Sequence, residues 1–473
     1  MTQLTEMDAG ALADAIRTRV TSATEVVDAH LRRIERLNPV INAIVSLRAQ
    51  EALDDARECD RLTARGLSRG AFHGVPMAVK DLMDVTGLRT TYGSRIYADN
   101  IARADSVITG KLRAAGTVFV GKTNTPEFGV GSHTFNDVFG VTRNPYDLSR
   151  SAGGSSGGAA AAVTSGMLPI ADGSDLGGSI RNPASFGNLV GLRPTAGRVA
   201  SARPGNAWDP GSVLGPIARS VRDAALFMSV VSAPERRAPL SIDEDPSLFL
   251  SLQPRSFEGK RIAFSADLGG LPLDTEVRAA TEEAARLAER LGAEVVPVDI
   301  DMREADFVFE TFRSLELLDA HDEDARLRPN LVKQTVKDDI SWADDFTADT
   351  IVRAASARTQ LFRRFQALFE EFDLLLAPCV QVLPFPVDWE YPAEIDGVAM
   401  DKYYSWQRSC SRITATAMPA LSMPMRFSEA GLPIGVQFVG PYRGDRLLLE
   451  YALTWEGAVS DVISRRPFPI EES

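Results

Sequence analysis

An α/β fold is predicted for this chain by two stretches in which amphipathic helix and short apolar strand alternate. In SVITGKLRAAGTVFVGKTN, residues 106–124, a helix-like run leads into one that reads as a buried strand. Further on, KRIAFSADLGG, TEVRAATEEAARLAERLGA and EVVPVDI form a β-α-β pattern whose amphipathic helix closes at Gly292. Three late apolar runs, DLLLAPC, PALSMP and GVQFVG, are strand candidates that return the C-terminal part to the same sheet.

The elements follow in order from the N-terminus. Residues 8–40 carry apolar positions at helical spacing, with Thr21 and Ser22 as caps between two helices and Pro39 as the expected end of the second. A charged helical pattern covers 49–66, and GVPMAVKD then suits a buried strand ending at Lys80. Between Ser151 and Gly197 lie 11 of the 36 glycines, about three times their share by length. Glycine permits positive φ and close backbone approach, so this density fits a loop wrapped round a reacting group. A flexible linker would not intersperse Val163, Met167, Ile170, Leu189, Val190 and Leu192. Residues 233–258, rich in Pro, Ser and charge, read as a surface excursion or minor boundary, and helices with solvated acidic faces fill 303–371.

With 473 residues, 44% hydrophobic and 24% charged, the chain has the composition of a globular enzyme. A net charge of −13 opposes nucleic acid and anionic membranes as partners, because phosphate recognition needs a basic surface. The three cysteines, Cys59, Cys379 and Cys410, have no metal spacing and read as buried thiols; no Cys/His cluster suggests a metal. The N-terminus lacks a secretory pattern, and no apolar run approaches the roughly 18 residues that span a bilayer, so a cytoplasmic location is expected.

The chemistry lies in three words: AVKD at 78–81, SAGGSSGG at 151–158 and GSDLGGSIRNPASFGNLVGLRPTAGRV at 173–199. Their composite pattern, with a 24-residue step from Ser155 to Ser179, resembles the amidase signature family from about residue 5 to 460. The resemblance implies one domain over 1–473 with a signature core at about 70–200: a large, mixed, twisted β-sheet covered by helices on both faces. It implies a base at Lys80, a bridging serine held by a cis peptide at Ser155 and a nucleophile at Ser179. Elementary chemistry agrees, since a serine hydroxyl needs an adjacent base and lysine serves only when neutral. Its pKa of about 10.4 must then fall by roughly three units, about 4 kcal/mol.

The run Leu176-Gly177-Gly178-Ser179 offers consecutive, unobstructed backbone N–H groups, as an oxyanion hole requires. By the same resemblance Asp175 and Arg181 hold this loop and Ser156 supplies a supporting hydroxyl. The segment 127–132 corresponds to the acyl pocket, with Gly129, Gly131 and Ser132 as substrate-binding residues. Phe385, Trp389, Tyr391, Tyr403, Tyr404 and Trp406 are candidates for an aromatic wall or lid, although core packing is the better reading of each alone. The chain departs from the family in lacking a cysteine within SFGNLVGLRPT and in having Arg193 for the commoner lysine; neither position is catalytic in the family.

Two other motifs fail on context. Gly116–Thr123 satisfies the phosphate-loop expression, but Thr-Val-Phe-Val is an apolar strand run rather than an exposed turn. Gly153–Gly157 matches G-x-S-x-G, yet the only downstream histidine is His321, within LDAHDED. The expected reaction is acyl transfer from a small amide, aryl acylamide, oligoamide or carbamate to Ser179, then hydrolysis by water, with no cofactor and with a homodimer left open. The alternatives are the amidase-type component of a glutamine-dependent tRNA amidotransferase, and an esterase-type or non-catalytic protein of the same fold.

Overall fold

The computed structural model describes residues 4–202 and 205–467. Eight strands share one hydrogen-bonded sheet, in the order Glu294–Pro297, Arg261–Phe264, Leu374–Pro378, Pro433–Val439, Ala420–Phe427, Val190–Arg193, Val213–Ala218 and Ile170–Asp175. The first three run parallel and the remaining neighbours antiparallel, so the sheet is mixed, as expected. The two strands of the β-α-β pattern, Arg261–Phe264 and Glu294–Pro297, and all three late strand candidates take places in it.

Alternation along a central strand shows why helices cover both faces. Leu374 and Leu376 enter one apolar cluster with Val277, Ala280 and Ala284 of the helix Thr275–Arg290. Leu375 and Ala377 enter another, against Val308 of the helix Ala305–Leu327 and Leu361 and Phe365 of the helix Ala348–Glu371. A strand's side chains point to opposite faces in turn, so a continuous apolar run requires cover on each side.

Lys80 lies outside this sheet. Its strand, Pro76–Lys80, pairs in parallel with Val118–Thr123, which also carries the short strand Ile44–Val45, making a separate three-stranded sheet. The small sheet meets the large one where the Lys80 N–H donates to Asp172 Oδ1 at 2.9 Å. Behind this junction the helix Gly157–Thr164 passes so close that a Cβ on Gly158 would stand 2.3 Å from the backbone nitrogen of Asn124. The glycine-rich composition is therefore a packing requirement.

One helix boundary differs from expectation. Ser22 does cap the helix Ala23–Ile41, its side chain and that of Glu25 forming a reciprocal capping box, but Pro39 lies inside the last turn. A proline there forfeits only its own N–H, and the chain turns at Asn42, whose left-handed conformation (φ 55°) lets its N–H reach the Asn38 carbonyl. Residues 233–258 hold no α-helix or strand; they run over the helix Val221–Val231 with Phe249, Leu252 and Phe257 buried. Among the described residues no helix is long and apolar enough to cross a membrane, and all three cysteines are buried free thiols.

Candidate active site

The strand Ile170–Asp175 sorts its side chains by face. Asp172 and Ser174 project toward Lys80, while Asp175 projects toward the turn that follows. Asp175 accepts hydrogen bonds from the N–H groups of Gly178 at 3.0 Å and Ile180 at 3.2 Å, and a two-pronged contact from Arg181 Nε at 3.0 Å and Nη2 at 2.8 Å. Both side chains are 0% exposed, so this is no surface ion pair. Burial alone would raise the Asp175 pKa, but the charge and hydrogen bonds of Arg181, with the charge of Arg193, hold it below the usual carboxylate range. Arg193 also donates to the Asp175 carbonyl, and its Nη2 reaches Gly211 O at 2.9 Å.

Lys80 is 0% exposed, and its Nζ lies 2.7 Å from Ser155 Oγ, 2.8 Å from Ser156 Oγ and 2.9 Å from Ser174 Oγ. Burial pushes its pKa down from 10.5 to about 7, against the opposing charges of Asp172 and Asp175. Three neutral hydroxyls thus surround an amine whose burial favours the uncharged form. The Gly154–Ser155 peptide is cis. Asn182 grips both sides of Gly154, its Oδ1 accepting the N–H at 3.0 Å and its Nδ2 donating to the carbonyl at 2.6 Å; Nδ2 also donates to Gln407 Oε1 at 2.6 Å.

Ser155 and Ser179 face one cavity of about 720 Å³ but make no direct hydrogen bond to each other. Their loops are tied by the Ser156 N–H, which donates to Ser179 O at 3.2 Å. The 176–179 run differs from a row of four equivalent donors. Gly178 N–H is engaged by Asp175, and its backbone (φ 122°) lies against Cys410, where a Cβ would come within 2.5 Å. Leu176, Gly177 and Ser179 line the cavity, and among the described residues nothing accepts from their N–H groups.

Gly129 and Gly131 line the same cavity with Phe128 and Val130. Ser132 is not among the residues lining it: its Oγ donates to Tyr403 O and accepts from Trp406 Nε1, both at 2.6 Å. Of the aromatic candidates, Phe385, Tyr404 and Trp406 are core residues, Tyr403 lines the cavity, and Trp389 is 48% exposed. Sequence reasoning missed Asp172 and Ser174, although period-two spacing on one strand was an available signal; Asn182 and Gln407 are 225 residues apart and left none.

A family model described as Amidase matches residues 25–449. An acylamidase of Rhodococcus erythropolis is 32% identical over 469 residues, 98% of this chain and 97% of its own. A component of the glutamyl-tRNA(Gln) amidotransferase of Cyanothece sp. is 32% identical over 464 residues, 92% of this chain and 95% of its own. Among solved structures, a bacterial aryl acylamidase of the amidase signature family superposes with a TM-score of 0.91 at 28% identity, over 98% of this chain and 99% of that one. With sequence and fold matched along most of its length, the chain belongs to the amidase signature family and is an amide-bond hydrolase.

Proposed function

We propose that Ser179 is the nucleophile, Ser155 the proton relay and Lys80 the general base. As Ser179 Oγ attacks the substrate carbonyl carbon, its proton passes to Ser155, whose own proton passes to neutral Lys80. The oxyanion is received by the N–H groups of Leu176, Gly177 and Ser179. On collapse the carbon–nitrogen bond breaks, the relay returns the proton to the leaving amine, and water then attacks the acyl-enzyme by the same route. The observation that carries this reading is the 2.7 Å contact between Ser155 Oγ and a lysine whose burial favours its neutral form. Catalytic hydrogen bonds commonly close only when substrate is seated, which suits the open step between Ser155 and Ser179.

The substrate class is a small amide, aryl acylamide, oligoamide or carbamate. The apolar and aromatic lining from Leu82, Tyr92, Phe128 and Leu317 supports it, as does the similarity to acylamidases. Labelling with a sulfonyl fluoride, followed by mass spectrometry, is expected to place the adduct on Ser179, alongside turnover of anilides. An unlabelled Ser179 in an enzyme that still hydrolyses anilides would overturn the assignment. The equal identity to the amidotransferase component supports a second reading, in which glutamine is hydrolysed only with partner proteins present; glutaminase activity confined to such an assembly would favour it.

A further inference from the structure

The helix Ala305–Leu327 turns one face to the cavity. Phe309 stands over the donor run, its ring 2.9 Å from where a Cβ on Gly177 would lie. Arg313 follows one turn later, about 6 Å along the axis, and lines the cavity with Leu317 and Tyr403. It is only 6% exposed. Its Nη2 donates to Asp339 Oδ2 at 2.9 Å, and the rings of Tyr403 and Tyr404 lie 5.2 and 5.4 Å from the guanidinium. Yet Nε, shut off from solvent, finds no acceptor among the described residues. A guanidinium carries five donor hydrogens, and Asp339 takes one.

Nε itself is too enclosed for a ligand to touch, but Nη1 is engaged by nothing among the described residues and belongs to a guanidinium that lines the cavity, so it is the donor a ligand atom can meet there. The character of that atom follows from the charges. Asp339 already balances Arg313 and the nearby Lys402 ammonium is paired with Glu310, so an anion placed there would add a second negative charge beside the Asp339 carboxylate. A neutral acceptor oxygen bears no such penalty. We propose that Arg313 receives a second carbonyl oxygen of the substrate. The preferred substrates are thus extended amides, with another amide, ester or ketone separated from the scissile bond by an apolar spacer lying along Leu317 and Tyr403. This rests on the assignment of Ser179 as nucleophile in the same cavity.

Isosteric probes test it. On the acyl side, the 4-nitroanilide of N-methylsuccinamic acid is compared with that of hexanoic acid; on the amine side, para-acetamidoacetanilide is compared with para-propylacetanilide. The carbonyl-bearing member of at least one pair is expected to have the higher kcat/KM by about 10- to 100-fold, the range for a hydrogen bond to a charged group. In Arg313→Met combined with Asp339→Asn, which leaves no uncompensated carboxylate, that ratio is expected to collapse toward one. Arg313→Lys keeps Asp339 paired and is expected to reduce the ratio partly. A merely structural role for Arg313 would lower both members together and leave the ratio standing, which would overturn the proposal. So would a wild-type ratio near one in both pairs, or a preference for the succinic acid half-anilide, whose carboxylate would indicate an anion site. Sulfonyl labelling of Ser179 runs alongside: a wild-type enzyme that labels but shows no carbonyl preference sinks this proposal alone, whereas one that turns over anilides unlabelled sinks the nucleophile assignment first.

Discussion

Two fully buried charged groups lie on opposite sides of the strand Ile170–Asp175, and their fates differ. Asp175 meets the Arg181 guanidinium in two-pronged contact and has Arg193 beside it, so it remains ionised despite complete burial. Lys80 is as deeply buried, but its Nζ touches only hydroxyls, and the Asp172 carboxylate is turned to its backbone N–H. Desolvation then prevails and the amine approaches neutrality. Burial alone thus sets neither outcome; direct contact with an opposite charge does. One site is built to stay charged and hold a loop still, the other to give up its charge.

The sharpest way to break this contrast is at the chemical end. Ser179→Ala and Lys80→Met are each expected to fold and to lower kcat by about 10⁴-fold. Lys80→Arg should be equally inactive, since arginine fills the space with a charge that does not dissociate. At the structural end, Arg181→Met strands the Asp175 charge and should cost about 3–5 kcal/mol in denaturant unfolding. Wild-type-like stability there would show the pair to be ornamental.

The pH dependence sharpens the same contrast. With Lys80 as the proposed base only its neutral form would work, so kcat/KM should rise with pH through an apparent pKa near 7 and then level. In stability the sign is a cost: the unfolded lysine, with a pKa near 10.5, binds the proton more tightly than the folded one. The penalty is full below about pH 7 and is relieved as pH rises to about 10.5. Asp175 acts oppositely. Its lowered pKa stabilises the fold above about pH 4, the unfolded carboxylate value, and this is lost on acidification. Lys80→Met should therefore flatten the neutral-to-alkaline slope of stability and leave the acid limb unchanged.

Smaller effects test the supports. Asn182→Ala releases Gly154 and should lower kcat by about 10- to 100-fold, through misplacement of Ser155, with little change in KM. Ser132→Ala should cost about 1–2 kcal/mol by stranding the Trp406 N–H, without altering kcat/KM. A large KM effect would return Ser132 to the substrate pocket.

Local motifs made much of this readable. Lys80, Ser155, Ser156, Asp175 and Arg181 occupy fixed places in contiguous words, and the glycines between them announce close approach. The separate small sheet was hidden, because strand periodicity says which faces are buried but not which strands pair. Ser132 follows Gly129 and Gly131 in sequence, but the direction of its hydroxyl is set by Tyr403 and Trp406, some 270 residues away, which no local motif shows. Gln407 was illegible for the same reason.

The division of labour between two sheets has a further consequence. Lys80 and the proposed nucleophile arrive on layers that share no strand and meet at the bond from the Lys80 N–H to Asp172. Until those layers dock, lysine is an ordinary solvated cation and the serines are ordinary alcohols. A chain in which the two layers are parted thus keeps both residues and loses the enclosure that lowers the lysine pKa.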